Sequence, residues 1–174
     1  MTSLKHKNGW SLAILVMVLS LANLAWGAAD ESVDEENYLA VNMLSYRDAM
    51  NLGRDSDKPV FLHFTASYAG NTGVQMRKTL ADIRVIKFLN KNFAAATIDV
   101  ADLPSLARKY HVNSVPTIWF LDAAGKRLTS VNGAMSVDKV LSVGEYVVKK
   151  VYEHTEYDVW ADRQKKRSRG DGGH

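Results

Sequence analysis

Lys58-Pro-Val-Phe-Leu-His-Phe-Thr-Ala-Ser-Tyr-Ala-Gly-Asn-Thr-Gly-Val-Gln-Met76 is the stretch that decides the fold. Its opening, Val60 to Phe64, is a continuous apolar run interrupted only by His63. Such a run suits a strand covered on both faces. Small and polar residues at 66–71 then break it, and Gly70 and Asn71 favour a tight turn. Thr72-Gly-Val-Gln75 has the spacing of a capping box, in which a hydroxyl and an amide side chain satisfy the free N–H groups that open a helix. Strand, turn and helix therefore follow one another within 19 residues.

Working outward, Tyr38 to Leu52 carries Leu39, Met43, Tyr46 and Met50 at helical spacing, and Arg54-Asp-Ser-Asp57 ends it. Beyond Met76, Asp82 can cap a second helical stretch with Ile83, Ile86, Phe88, Leu89 and Phe93 on its apolar face. Ala94 to Val100 reads as a buried strand, and Leu103 to Tyr110 as a short helix. Thr117–Leu121, a turn at 122–126 and Leu128–Val131 predict a β-hairpin. Ser136 caps a last amphipathic helix that runs to about Tyr152. A β-α-β crossover followed by a hairpin predicts an α/β fold, with a mixed central β-sheet and helices on both faces.

The 174 residues suffice for one domain with a substantial core, and a 47% hydrophobic, 24% charged composition is that of a globular chain. Four segments are expected. Residues 1–29 read as a signal peptide, with Lys5, His6 and Lys7 ahead of an apolar run from Trp10 to Trp26 and small residues at 25 and 27–29. The alternative for that segment is an uncleaved anchor, and either one exports the body, most readily to a bacterial periplasm. Residues 30–39 form an acidic spacer containing Asp30, Glu31, Asp34, Glu35 and Glu36. The domain itself spans 40–153. Residues 154–174 read as a basic, disordered tail in which Arg163, Lys165, Lys166, Arg167 and Arg169 crowd together. A net charge of +3 is too weak a field to capture nucleic acid.

The order of elements and the residues at the turns resemble the thioredoxin fold, closest to the exported thioredoxin-like domains related to the C-terminal domain of the disulfide reductase DsbD. The resemblance covers about residues 40–152. It is carried by Lys58-Pro59, Phe64-Thr-Ala-Ser-Tyr68, Asp99 at a strand end, Val115-Pro116-Thr117 and Asn132-Gly-Ala-Met-Ser136. By that resemblance Pro116 matches the family's cis-proline, and the Val115 backbone beside it matches the edge that holds an extended substrate peptide. Tyr68 matches the aromatic residue before the paired cysteines. Ala69 and Thr72 stand where the two cysteines would be, with Gly70 and Asn71 between them. His63 falls where the family has a buried acid.

The chain contains no cysteine, so it cannot itself perform thiol–disulfide exchange, which needs a thiolate attacking sulfur. Other chemistry finds little support. Thr72 as a nucleophile would need a base and an orienting carboxylate, and none is visibly placed. His63 is expected to be a hydrogen-bonded core histidine, because it stands alone on an apolar strand. The histidines at 6, 63, 111, 154 and 174 have no metal-ligand spacing, so neither metal nor other cofactor is expected.

These features predict a redox-inactive, exported, non-enzymatic protein that binds a peptide or a protein partner of the cell envelope in a chaperone or assembly role. Tyr68, Val115, Pro116 and Thr117 would line the groove. One alternative is a member of an envelope redox pathway whose cysteines were lost or replaced. Another is glutathione-type binding in the same groove. Membrane association through the basic tail or an uncleaved leader would add to any of these.

Overall fold

The computed structural model describes residues 40–170, so the expected leader and nearly all of the acidic spacer lie outside the described residues. Five strands form one sheet: β1 (Met43–Leu44), β2 (Val60–Thr65), β3 (Ala94–Asp99), β4 (Thr117–Leu121) and β5 (Arg127–Asn132). Their spatial order is β1-β3-β2-β4-β5. β3 runs parallel to both β1 and β2, whereas β2 with β4 and β4 with β5 are antiparallel. The mixed sheet expected from the sequence is present, with one strand more. β1 was read as helix because two residues are too few to show a period of two.

Among the described residues six α-helices accompany the sheet: α1 (Tyr46–Asp55), α2 (Gly70–Leu80), α3 (Ile83–Asn92), α4 (Pro104–Lys109), α5 (Val137–Val148) and α6 (Tyr157–Gly170). Strand alternation sorts the core into two layers. Phe61, Ala95, Ile118 and Phe120 pack with Met76 of α2, Val85 and Leu89 of α3, and Val140 and Val147 of α5. On the other face Val60, Leu62, Phe64, Ala96 and Ile98 pack with Ala49 of α1 and with Tyr110 just after α4. Val60, Phe61, Leu62 and Phe64 are fully buried, which is why β2 reads as an unbroken apolar run. Each such side chain contributes roughly 1.5–3 kcal/mol relative to exposure. Phe61, Phe93 and Phe120 form an edge-to-face cluster with centroids 5.4–6.4 Å apart.

The caps divide. Asp82 accepts the Arg84 N–H at 2.9 Å and Ser136 accepts the Lys139 N–H at 3.2 Å, so both expected caps are in place. Thr72 is not a cap. α2 begins at Gly70, three residues earlier than the capping-box reading, and Ala69 at its N-cap position supplies no side-chain bond.

The largest correction concerns the C-terminus. The residues read as a disordered tail carry α6 as far as Gly170. Trp160 is the reason, since it is buried and lies 5.7 Å from the Tyr146 ring and 6.1 Å from the Tyr157 ring, centroid to centroid. Tyr157 docks as well, with its ring 5.4 Å from that of Tyr146 and its hydroxyl 3.0 Å from Ser142 Oγ, so basic composition masked two aromatic anchors. Beyond Gln164, however, every residue from Lys165 to Arg169 is exposed, so the helix stands off the body there.

Candidate functional site

Register places the candidate residues at one end of the sheet. Phe64 pairs with Thr117, so the segment leaving β2 and the segment entering β4 emerge side by side. The first carries Tyr68 to Thr72; the second carries Val115 and Pro116.

The chain turns at Ser67 and Tyr68, with the Ala69 N–H bonded to the Ala66 carbonyl at 3.1 Å. The tight turn thus precedes Gly70 and Asn71, which belong to the first turn of α2. Gly70 is still required, because its φ of +57° is a left-handed conformation that other residues adopt only at a cost. Tyr68 projects from the turn and is 72% exposed. Ala69 is buried, and the Thr72 hydroxyl donates to the Ala69 carbonyl at 2.8 Å. Thr72 therefore serves its own loop.

The Val115–Pro116 peptide is cis. Pro116 is buried, and its carbonyl accepts the Gly133 N–H at 2.7 Å. The Thr117 hydroxyl donates to the Ser114 carbonyl at 2.7 Å and lies 3.1 Å from Asn132 Oδ1. These bonds fix the loop from both sides. Among the described residues neither backbone polar group of Val115 has a partner.

His63 sits in β2 behind the loop and is only 4% exposed. Burial was expected, but the hydrogen bond was not found. Among the described residues neither Nδ1 nor Nε2 has a partner. Its partners across the sheet are Thr97 and Ile118. Removal from water, aided by the nearby Arg77 guanidinium, lowers the imidazole pKa to about 4, so the ring is neutral at pH 7. Thr72 and His63 make no hydrogen bond to each other, and the arrangement lacks a base-activated hydroxyl.

A cavity of about 500 Å³ opens beside His63, lined also by Thr65, Arg77 and Asp99. Arg77 was missed in the sequence. It lies one turn before the end of α2, and nothing in its spacing links it to a strand residue 14 positions earlier.

The sequence profile of a thioredoxin-like domain matches residues 46–148, more than half of the chain. The chain belongs to the thioredoxin-like domain family. Solved structures with the same fold include a thioredoxin from Thermus thermophilus, with a TM-score of 0.57 and 22% identity, over 62% of this chain and 87% of that one. A thioredoxin-fold protein from Helicobacter pylori aligns with a TM-score of 0.55 and 21% identity, over 64% and 82% of the two chains. A protein described as DsbH oxidoreductase aligns with a TM-score of 0.56 and 19% identity, over 74% and 98%. No curated protein matches the sequence. This thioredoxin-like chain keeps the frame of its family while having no cysteine in the loop or elsewhere. Among the described residues, no helix is long and apolar enough to cross a membrane.

Proposed function

We propose that this thioredoxin-like chain is a redox-inactive, non-enzymatic binding protein of the bacterial envelope. It holds an extended peptide or a partner protein between the 68–72 loop and Val115–Pro116, in a chaperone or assembly role. The observation that carries the reading is the free backbone of Val115, at the same sheet end as the exposed ring of Tyr68. An unpaired N–H and C=O in an ordered loop are suited to main-chain bonding with an added strand. A tyrosine ring beside them offers contact area at small entropic cost. Export follows from the expected leader, and it accords with the Dsb-type name of a protein of similar fold.

The test is capture from envelope extract by the wild type beside Tyr68→Ala and Tyr68→Ala/Pro116→Ala variants, with the Val115 amide resonance followed as captured partner is added. A partner lost in the variants that also shifts the Val115 amide supports the groove. A partner retained by all three moves the function to another face. If the chain instead belongs to a redox pathway, Ala69→Cys/Thr72→Cys should confer insulin reduction, and no activity counts against that alternative.

A second surface is favoured by α6. Arg163, Lys165, Lys166, Arg167 and Arg169 are exposed, and none has an acidic partner among the described residues. Like charges at i,i+3 and i,i+4 oppose helix formation, so an anionic lipid surface would both bind and steady this end. Vesicles with and without anionic lipid distinguish this contact from the groove, since Tyr68→Ala would leave it intact.

A further inference from the structure

We infer that the cavity beside His63 binds a small zwitterion with an apolar side group, of the chemical class of a free α-amino acid. This site is separate from the Val115 groove and does not depend on it.

Position is the first argument. β1 ends at Leu44, opposite Ala96, so the far side of β3 is left unpaired from Thr97 onward. The cavity lies there, against Thr65 and Asp99 at the carboxyl ends of two parallel strands. In open α/β sheets that end is where ligands bind. Its volume of about 500 Å³ is within the range of small-molecule pockets, about 300–1,000 Å³.

The second argument is an orphaned side chain. His63 lines the cavity, is almost wholly buried, and has a partner for neither nitrogen among the described residues. A neutral imidazole has one donor and one acceptor to satisfy, and leaving both unpaired in the interior is costly. What fills the cavity must supply them.

Charge narrows the occupant. The Arg77 guanidinium and the Asp99 carboxylate line the same cavity, yet no ion pair joins them. Asp99 uses Oδ1 to accept the Ala101 N–H at 2.8 Å, and Oδ2 has no partner among the described residues. Two opposite charges across one cavity, neither of them ion-paired among the described residues, are complementary to a ligand that carries both. Its carboxylate would meet Arg77 and the His63 N–H, and its ammonium would meet Asp99. Val41, Met43 and Leu80 supply an apolar wall for the side group.

Three probes sharing the isobutyl group test this with the full chain: L-leucine, isovalerate, which lacks the ammonium-bearing carbon, and isoamylamine, which lacks the carboxylate. Ring resonances of His63 and calorimetric affinities are the readouts. L-leucine should shift the His63 ring saturably and bind more tightly than either control. Arg77→Gln, at an exposed position, should weaken L-leucine and isovalerate by about tenfold. Asp99→Asn keeps the bond to Ala101 and should weaken L-leucine about tenfold while strengthening isovalerate. That opposite pair of signs is not produced by a loss of folding. Unmoved His63 resonances at millimolar L-leucine would mean that the cavity holds water only, and would overturn the inference. Isovalerate binding as tightly as L-leucine to the wild type would overturn it as well.

Discussion

The Thr72 hydroxyl donates to the carbonyl of Ala69 across 2.8 Å, closing the loop at 69–72 on itself. The bond is local and partly exposed, so it orders the first turn of α2 more than it holds the domain together. Thr72→Ala should lower unfolding free energy by about 0.5–1.5 kcal/mol, the usual net value of such a bond. Urea titration measures it. A loss above roughly 3 kcal/mol would assign Thr72 a structural weight that one local bond cannot have.

His63 should make stability fall as the solution is acidified. The ring protonates near pH 6.5 in the unfolded chain and near pH 4 in the folded one, so the unfolded state binds the extra proton between those values. Above pH 6.5 both states are neutral and the group contributes nothing. By pH 4 the penalty reaches roughly 3 kcal/mol. Carboxylates titrate in part of this window, so the quantity to measure is the wild type minus a His63→Leu variant. A difference that stays flat from pH 7 to pH 4 would contradict the burial of the ring.

Gly144 of α5 lies against the Phe88 ring of α3, and a Cβ there would overlap the ring edge. Gly144→Ala ought to destabilise by about 1–3 kcal/mol through overpacking, despite the better helix propensity of alanine. Adding Phe88→Leu should restore part of the loss. Failure of the second substitution to compensate would place the strain elsewhere.

Trp160 anchors α6 to the Tyr146 ring. Trp160→Ala is expected to cost about 3–5 kcal/mol and to reduce helical ellipticity as α6 undocks. Among the residues whose burial is described, a chain ending after Gln164 loses only the exposed Lys165 to Arg169, and its melting temperature should match that of the full protein. If truncation destabilises as much as the tryptophan substitution, the exposed turns of α6 carry contacts that their exposure denies.

Legibility followed the range of the interactions. Val60 to Phe64 announced a central strand because both sheet faces are covered, and that is written in consecutive residues. Asp82 and Ser136 were readable as caps because each bonds an N–H two or three positions on. β1 was not, since two residues paired to Ala95 and Ala96 leave no periodic trace. α6 was hidden for a different reason. Its polar composition predicts a solvated end, and the docking of Tyr157 and Trp160 on Tyr146 of the preceding helix overrides it.

The site shows the same division. The missing cysteines, the loop residues 68–72 and the Val115–Pro116 segment were all legible in the chain. The hydrogen bond expected for His63 is absent among the described residues, and Arg77 had no signal at all.

What the sequence determined by itself was the order of elements from β2 to α5, the family they form and the lack of thiol chemistry, because these depend on local pattern and on which atoms are present. Only the tertiary structure decided that, among the described residues, His63 is buried without a partner and Arg77 and Asp99 share its cavity without an ion pair, and that a basic tail becomes a docked helix. Each of those depends on which distant side chains meet and how far water is kept from them, and neither quantity is encoded in any short window of residues.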